Sequence, residues 1–100
     1  MSSQIYRYKI EEEIPVEETE ESLLLACVAT EIIHGRSRTI MDGAFHLDKS
    51  KRECVIDART EVGRSIACLF TGLMTMEFGE DSFQVEFVDE PPKCRCSGGP

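Results

Sequence analysis

Hydrophobic residues recur at two different periods along this chain, and the order in which these periods alternate limits the folds that it can adopt. Alternation at every second residue, with aromatic and β-branched side chains, predicts half-buried strands. The predicted strands are residues 5–10, 44–48, 54–58 and 82–88. A spacing of three and four residues predicts helices over 17–34 and 61–78. The order is therefore strand, helix, strand, strand, helix, strand.

Two β-α-β units joined by a central hairpin predict an α+β domain with two layers. Because such crossovers are right-handed, we expect a ferredoxin-like βαββαβ plait. This is a four-stranded antiparallel sheet in the spatial order 4-1-3-2, with two helices on one face. Another two-layer arrangement of the same elements, with a different strand order, is the alternative. The helices are expected to cover the sheet face that carries Tyr6, Tyr8, Phe45, Leu47, Phe83, Val85 and Phe87.

The first predicted helix begins in a run of glutamates, where the helix dipole favours negative charge. Its apolar residues follow at helical spacing and are Leu24, Leu25, Val28, Ala29 and Ile32. Gly35, directly after His34, predicts the C-terminal cap. Residues 36–43 are open between a loop and the start of a strand, since Thr39 and Ile40 favour extended structure while Asp42-Gly43 is typical of a turn.

The second predicted helix has Thr60 as its N-cap, followed by apolar residues at helical spacing. A neighbouring face carries a row of small side chains at three- and four-residue steps. The row consists of Ser65, Cys68, Gly72 and Thr75. Small residues let another backbone approach closely, so we expect this face to contact the sheet or the first helix.

One hundred residues, of which 41% are hydrophobic, suit one globular core. We expect a single domain over residues 1–92 and a disordered tail over 93–100. No apolar run approaches the roughly 20 residues that a membrane span needs. The first residues, MSSQIYRYKIEEE, lack the layout of a signal peptide. These features predict a cytoplasmic protein without a membrane partner.

The net charge of −8 is unevenly distributed. Residues 1–33 are strongly acidic, whereas residues 34–65 contain seven Lys and Arg against five acids. A negative field repels phosphate backbones, so we expect no nucleic-acid partner. His34, Arg36 and Arg38 open the central stretch and form a candidate basic patch for an anionic ligand or partner. The alternative is an acidic surface that serves solubility.

Five cysteines, an odd number without the spacing of a disulfide framework, predict a reducing compartment. Cys27, Cys54 and Cys68 lie in apolar segments, where a free cysteine behaves as a small hydrophobic residue. Cys94 and Cys96 offer two thiols, which do not make a metal site. We therefore expect no metal ion and no cofactor.

A candidate anion site lies where the third predicted strand runs into the second helix. Helix N-termini present unsatisfied N–H groups and a positive dipole, and Arg59, Thr60, Arg64 and Ser65 would complete such a site. The alternative is an ordinary capped helix with surface arginines. No glycine-rich nucleotide motif accompanies it, and no catalytic constellation is visible, so no catalytic residue is assigned.

Two functional hypotheses follow. The favoured one is a non-catalytic interaction or regulatory domain that self-associates, as a homodimer for example, through a strand edge or a sheet face. The other is a small enzyme or anion-binding domain that uses the helix start at Arg59–Ser65, with His34 or His46 nearby.

Overall fold

The chain forms four strands and three α-helices within residues 5–88, the part that the computed structural model describes. Their order is β1 (Ile5–Ile10), α1 (Val16–His34), α2 (Arg36–Asp42), β2 (Phe45–Asp48), β3 (Glu53–Asp57), α3 (Glu61–Phe78) and β4 (Phe83–Val88), with a short 3-10 turn at Glu80–Ser82. The Cys94–Cys96 pair and the tail predicted over 93–100 lie outside the described residues, as does the predicted domain end at residue 92.

The four strands form one antiparallel sheet in the order β2-β3-β1-β4. The predicted α+β class and the four-stranded antiparallel sheet are confirmed. In the central strand β1, Tyr8 lies opposite Cys54 of β3 and Val85 of β4, so these three side chains share a face. The other face carries Arg7, which forms an ion pair with Glu86 of β4.

The core lies between the sheet and the inner sides of α1 and α3. Tyr8 is its largest fully buried side chain and meets Phe70 of α3 edge to face, with 5.0 Å between the ring centroids. The Tyr8 hydroxyl lies 2.8 Å from Oγ1 of Thr71. Burial raises the pKa of Tyr8 to about 12. The other buried apolar side chains of this cluster are Ile10, Leu23, Ala26, Cys54, Ile56, Ala58, Val62, Ile66, Ala67, Met74 and Phe83.

The segment over residues 36–43, expected as loop or strand, is mostly the additional helix α2. Gly35 has a φ of 90°, ends α1 as predicted, and its backbone then leads directly into α2. Within α2 the buried Thr39 donates its hydroxyl to the carbonyl of Gly35. Arg38 donates to Glu61, and the Thr60 hydroxyl donates to the carbonyl of Asp42, so contacts with the start of α3 outweigh the extended preference of Thr39 and Ile40.

The helices do not cover the whole of their sheet face. Val85 and Phe87 lie on the expected side of β4, yet they are 47% and 70% exposed. Only Phe83 of that strand reaches the core. Val85 and Phe87 were therefore assigned to the correct face of the sheet, but the prediction that the helices would cover them was wrong.

The close backbone approach expected along the small-residue row of α3 occurs elsewhere. Cys68 and Gly72 are exposed, and no neighbouring heavy atom lies within 4 Å of where a Cβ would stand at Gly72. The contact is instead made by Gly63, where a Cβ would lie 1.9 Å from the carbonyl oxygen of Asp57. Gly63 thus lets the first turn of α3 pack directly on the end of β3.

Candidate interaction surface on helix α1

The inner face of α1 is built from small and hydroxyl-bearing residues. Its buried side chains are Thr19, Ser22, Leu23, Ala26 and Thr30. Thr30 donates to the carbonyl of Ala26 at 2.7 Å, and Thr19 donates to the carbonyl of Pro15 at 3.3 Å. Because these hydroxyls are satisfied by their own helix, they can be buried without an unpaired polar group. The short side chains also let α1 lie close to α3.

Most of the apolar residues that show helical spacing in α1 lie on its outer side. We call Leu24, Leu25, Val28 and Ile32 the α1 stripe; they are 55%, 57%, 55% and 80% exposed. Residues two positions apart in a helix lie about 200° apart around its axis. Burial of Ala26 therefore turns Leu24 and Val28 to the outside. The helical spacing was predicted correctly, but it does not mark the buried face of α1.

The α1 stripe is continuous. Leu24, Leu25 and Val28 line a shallow groove of about 360 Å³ together with Glu21. Ile32 follows one turn after Val28 on the same side of the helix. Contiguous exposed apolar surface of this kind marks interaction sites in folded proteins, whereas isolated exposed hydrophobic residues are ordinary.

The two ends of the stripe differ in charge. Glu17, Glu18 and Glu21 are exposed at its N-terminal end. At the other end, α1 gives way to α2, whose exposed arginines are Arg36 and Arg38. The stripe is thus apolar in the middle, acidic at one end and basic at the other.

The candidate basic patch of His34, Arg36 and Arg38 is tied partly to α3. Nε2 of His34 lies 2.9 Å from Oγ of Ser65. Arg38 donates to Glu61 at 3.0 Å and lies 3.6 Å from Asp42. The Arg36 side chain forms no hydrogen bond or ion pair with another residue in the described range. It is therefore the cation of this patch that is available to a partner.

The predicted anion-site residues lie in the first turns of α3 but face different neighbours. Arg59 forms an ion pair with Asp57 at 2.7 Å. The hydrogen bonds that Arg59 donates to the Asp57 carboxylate lower the pKa of that group. The Thr60 hydroxyl accepts from the N–H of Gly63 and donates to the carbonyl of Asp42. The N-cap predicted at Thr60 is confirmed. With the contact between Ser65 and His34, three of the four candidates already have internal partners.

The candidates Ser65 and Arg64 are directed apart. Ser65 contacts His34 near the end of α1, whereas Arg64 lines a different groove on the sheet side of α3. We call this second feature the β1–α3 groove. It has a volume of about 390 Å³ and is lined by Tyr6, Tyr8, Arg64, Ala67, Cys68 and Thr71. Phe87 contacts Tyr6 at its margin, with 5.3 Å between ring centroids. The anion site itself stays a prediction.

Within residues 5–88, no group of three His, Cys, Asp or Glu side chains is placed to hold a metal ion. None of the helices described is long and apolar enough to cross a membrane. The three cysteines in this part of the chain, Cys27, Cys54 and Cys68, are free thiols. Cys54 is buried as expected, while Cys68 is exposed and not part of the core.

The sequence contains a second periodic row in α1, which indicates that its most hydrophobic side need not be its buried side. Thr19, Ser22, Ala26 and Thr30 recur at three- and four-residue steps, and Leu24, Val28 and Ile32 recur at four-residue steps on another side of the helix. A helix with two such rows has two faces that can pack, one with small side chains and one with large side chains.

Comparison with protein-family models, curated proteins and solved structures gave no match for this chain.

Proposed function

We propose that this protein is a non-catalytic interaction domain that associates with a second copy of itself through the α1 stripe. The observation that carries the proposal is the burial pattern of α1, in which Thr19, Ser22, Leu23, Ala26 and Thr30 face the core while Leu24, Leu25, Val28 and Ile32 face outward. Burial of apolar surface is worth roughly 25 cal/mol per Å², so the four exposed aliphatic side chains of the α1 stripe provide a driving force for association.

A second copy fits this surface better than an unrelated partner. The stripe carries opposite charges at its two ends, so it can complement itself under a two-fold axis. Two-fold dimers are also the commonest soluble oligomers. Self-association was the favoured hypothesis from the sequence, although a sheet face or strand edge was expected to mediate it, and α1 is the surface that the exposed residues favour.

The fold and setting proposed for this domain follow the sequence. We infer a ferredoxin-like plait, because the order β2-β3-β1-β4 is 4-1-3-2 when it is read from the other edge. The additional helix α2 would be an insertion after the first crossover helix. A reducing, cytoplasmic setting is supported by the free thiols Cys27, Cys54 and Cys68.

Anion binding at the start of α3 is the second candidate function. It is favoured by the contact between His34 and Ser65, which brings a histidine to this helix start as the hypothesis requires. The internal pairing of Arg59 with Asp57 counts against it, since a bound anion would compete with a carboxylate that is already in place. For this reason we favour the interaction domain.

The test is the mass of the particle in solution, measured by sedimentation or light scattering from micromolar to millimolar protein. We expect the unmodified chain to change from monomer to dimer as concentration rises. Val28→Glu places a charge in the centre of the stripe and should weaken the dimer by more than about tenfold. Val85→Glu is the matched control, because Val85 of β4 is similarly exposed but lies on the sheet.

Each outcome has a definite meaning. A strict monomer at all concentrations would exclude self-association. If Val85→Glu lost the dimer while Val28→Glu kept it, the contact between copies would lie on the exposed part of β4 and not on the α1 stripe. A strict monomer that Val28→Glu destabilises to heat would show that the stripe contributes to the stability of the single chain and would overturn the proposal.

A further inference from the structure

We infer that two copies of this chain pair their α1 helices antiparallel, with the acidic start of each α1 against Arg36 of the other copy. The inference rests on the proposed function and specifies the geometry and charge pairing of the dimer. It is carried by three features together: the length of the stripe, its position on α1 and the sign of the charges at its two ends.

The first feature is the register. The stripe runs from Leu24 to Ile32, so its midpoint is Val28. A two-fold axis at Val28 sets Val28 against its own copy and Leu24 against Ile32 of the second copy. The 19 residues of α1 span roughly 28 Å, so the whole stripe would be covered by the equivalent stripe.

The same axis fixes which charges meet. Within α1, which ends at His34, positions whose numbers add to about 56 face one another in this arrangement, so Glu21 lies beside Gly35, the turn into α2 of the second copy. Arg36 is the next residue and has a long, flexible side chain. Glu21 lines the groove beside Leu24 and Leu25, and so it stands at the border of the apolar contact. Each dimer would contain two such Glu21–Arg36 pairs.

Parallel pairing of the same helices is disfavoured by the same charges. It would place Glu17, Glu18 and Glu21 against their own copies, and like charges held together at an interface are repulsive. It would also set the two Arg36 side chains side by side. The antiparallel arrangement replaces both repulsions with attractions.

Other nearby charges leave this pairing open. Glu20 is held by Lys49 at 3.0 Å, and Arg38 is held by Glu61 and Asp42. Arg36 is exposed and makes no ion pair within residues 5–88. Glu21 is likewise exposed and has no ion-pair partner in this range. The two residues are therefore available for a contact between copies.

The experiment compares the dissociation constant of the dimer for the unmodified chain, Glu21→Arg, Arg36→Glu and the double variant, at low and at high salt. Each single reversal turns two attractive pairs into repulsive ones, and we expect a three- to tenfold weakening at low salt, on the order of a surface ion pair. The double variant restores opposite charges and should regain the original constant. High salt should reduce the differences.

Matched controls are Glu80→Arg and Lys51→Glu, which make the same charge changes at exposed positions outside α1 and α2. They should leave the constant within about twofold of the unmodified chain. If both single reversals dimerise as well as the unmodified chain, antiparallel pairing is wrong, because a parallel dimer keeps like charges together in every variant.

The two proposals fail differently. If the unmodified chain never dimerises, self-association itself is wrong. If it dimerises and Val28→Glu abolishes the dimer, but the charge reversals and the double variant are indistinguishable from the unmodified chain, self-association through the stripe stands and the antiparallel pairing falls.

Discussion

Helices α1 and α3 are of nearly equal length, 19 and 18 residues, yet they use their apolar residues in opposite ways. Helix α3 turns Val62, Ile66, Phe70 and Met74 into the core. Helix α1 turns Leu24, Leu25, Val28 and Ile32 away from it. Both have helical spacing of hydrophobic residues, but only in α3 does that spacing mark the buried face.

The difference shows that the distance between two packed helices can decide which face of a helix is buried, even when its other face is more hydrophobic. Helix α3 lies directly on the sheet, where large side chains fill the space around Tyr8. Helix α1 reaches the core beside α3, where small residues such as Ala26 and Ser22 fit. The larger residues of α1 are then left for contacts outside the monomer, which is consistent with the dimer that we propose.

The difference in burial between α1 and α3 is tested most directly by making the same truncation in both helices. Ile66→Ala in α3 should lower the free energy of unfolding by about 2–5 kcal/mol, because Ile66 is fully buried and its removal leaves a cavity. Ile32→Ala in α1 should change it by less than about 0.5 kcal/mol, since Ile32 is largely exposed. Denaturant unfolding measures both values.

This measurement must be made on dilute protein, where the proposed dimer is dissociated. At high concentration Ile32→Ala should weaken the dimer, whereas Ile66→Ala should act on the monomer at every concentration. Equal losses for the two variants in dilute protein would contradict the structural difference between the helices.

Alkaline pH sharpens the comparison by acting on a contact of α3. The folded state raises the pKa of Tyr8 from 10.0 to about 12, mainly because burial disfavours the phenolate. The stabilisation is therefore complete below pH 10 and is lost as the pH rises toward 12. The expected loss is at most about 2–3 kcal/mol by linkage.

The matching variant is Tyr8→Phe, which has no ionisable hydroxyl at this position. Its unfolding free energy should fall less steeply between pH 10 and 12 than that of the unmodified chain. The buried Cys54 thiol, whose pKa burial also raises to about 12, contributes to both proteins and cancels in the difference. Identical slopes would show that Tyr8 is not shielded by α3.

The smallest expected effect concerns how the two helices begin. Helix α3 is capped by the Thr60 side chain, whereas Pro15 begins α1 without a side-chain cap. Thr60→Ala should lower the unfolding free energy by about 1 kcal/mol, and Thr60→Ser should largely retain it because the hydroxyl is kept. Thermal unfolding of the two variants measures the difference, and a fully stable Thr60→Ala variant would contradict the role of this cap.

Much of the secondary structure could be predicted, because it depends on local chemistry. The alternation in β1 and β4, the cap at Thr60 and the glycine after His34 each act within a few residues. Helix α2 could not be predicted in the same way. Its Thr39 and Ile40 prefer extended structure, and the helix is held by the contacts of Arg38 and Asp42 with α3.

The candidate surface depended on more distant contacts than the elements did. Sequence reasoning identified Leu24, Leu25, Val28, Ala29 and Ile32 as one helical row. Periodicity states which residues share a face, but it does not state which of two faces meets the rest of the protein. The separation of Arg64 from Ser65 on α3 likewise depends on what packs on each side of that helix.

The sequence by itself determined the order of the four strands and the two long helices, most of their ends and the strongly acidic start of α1. These properties follow from backbone preferences, capping and side-chain spacing, which are local. Only the tertiary structure decided that α1 buries Thr19 and Thr30 and exposes Leu24 and Leu25, and that β4 keeps Val85 and Phe87 at the surface. The physical reason is that burial depends on which elements lie close enough to exclude water, and α1 turns Leu23, Ala26 and Thr30 inward beside α3 while its other side faces no element of the described chain.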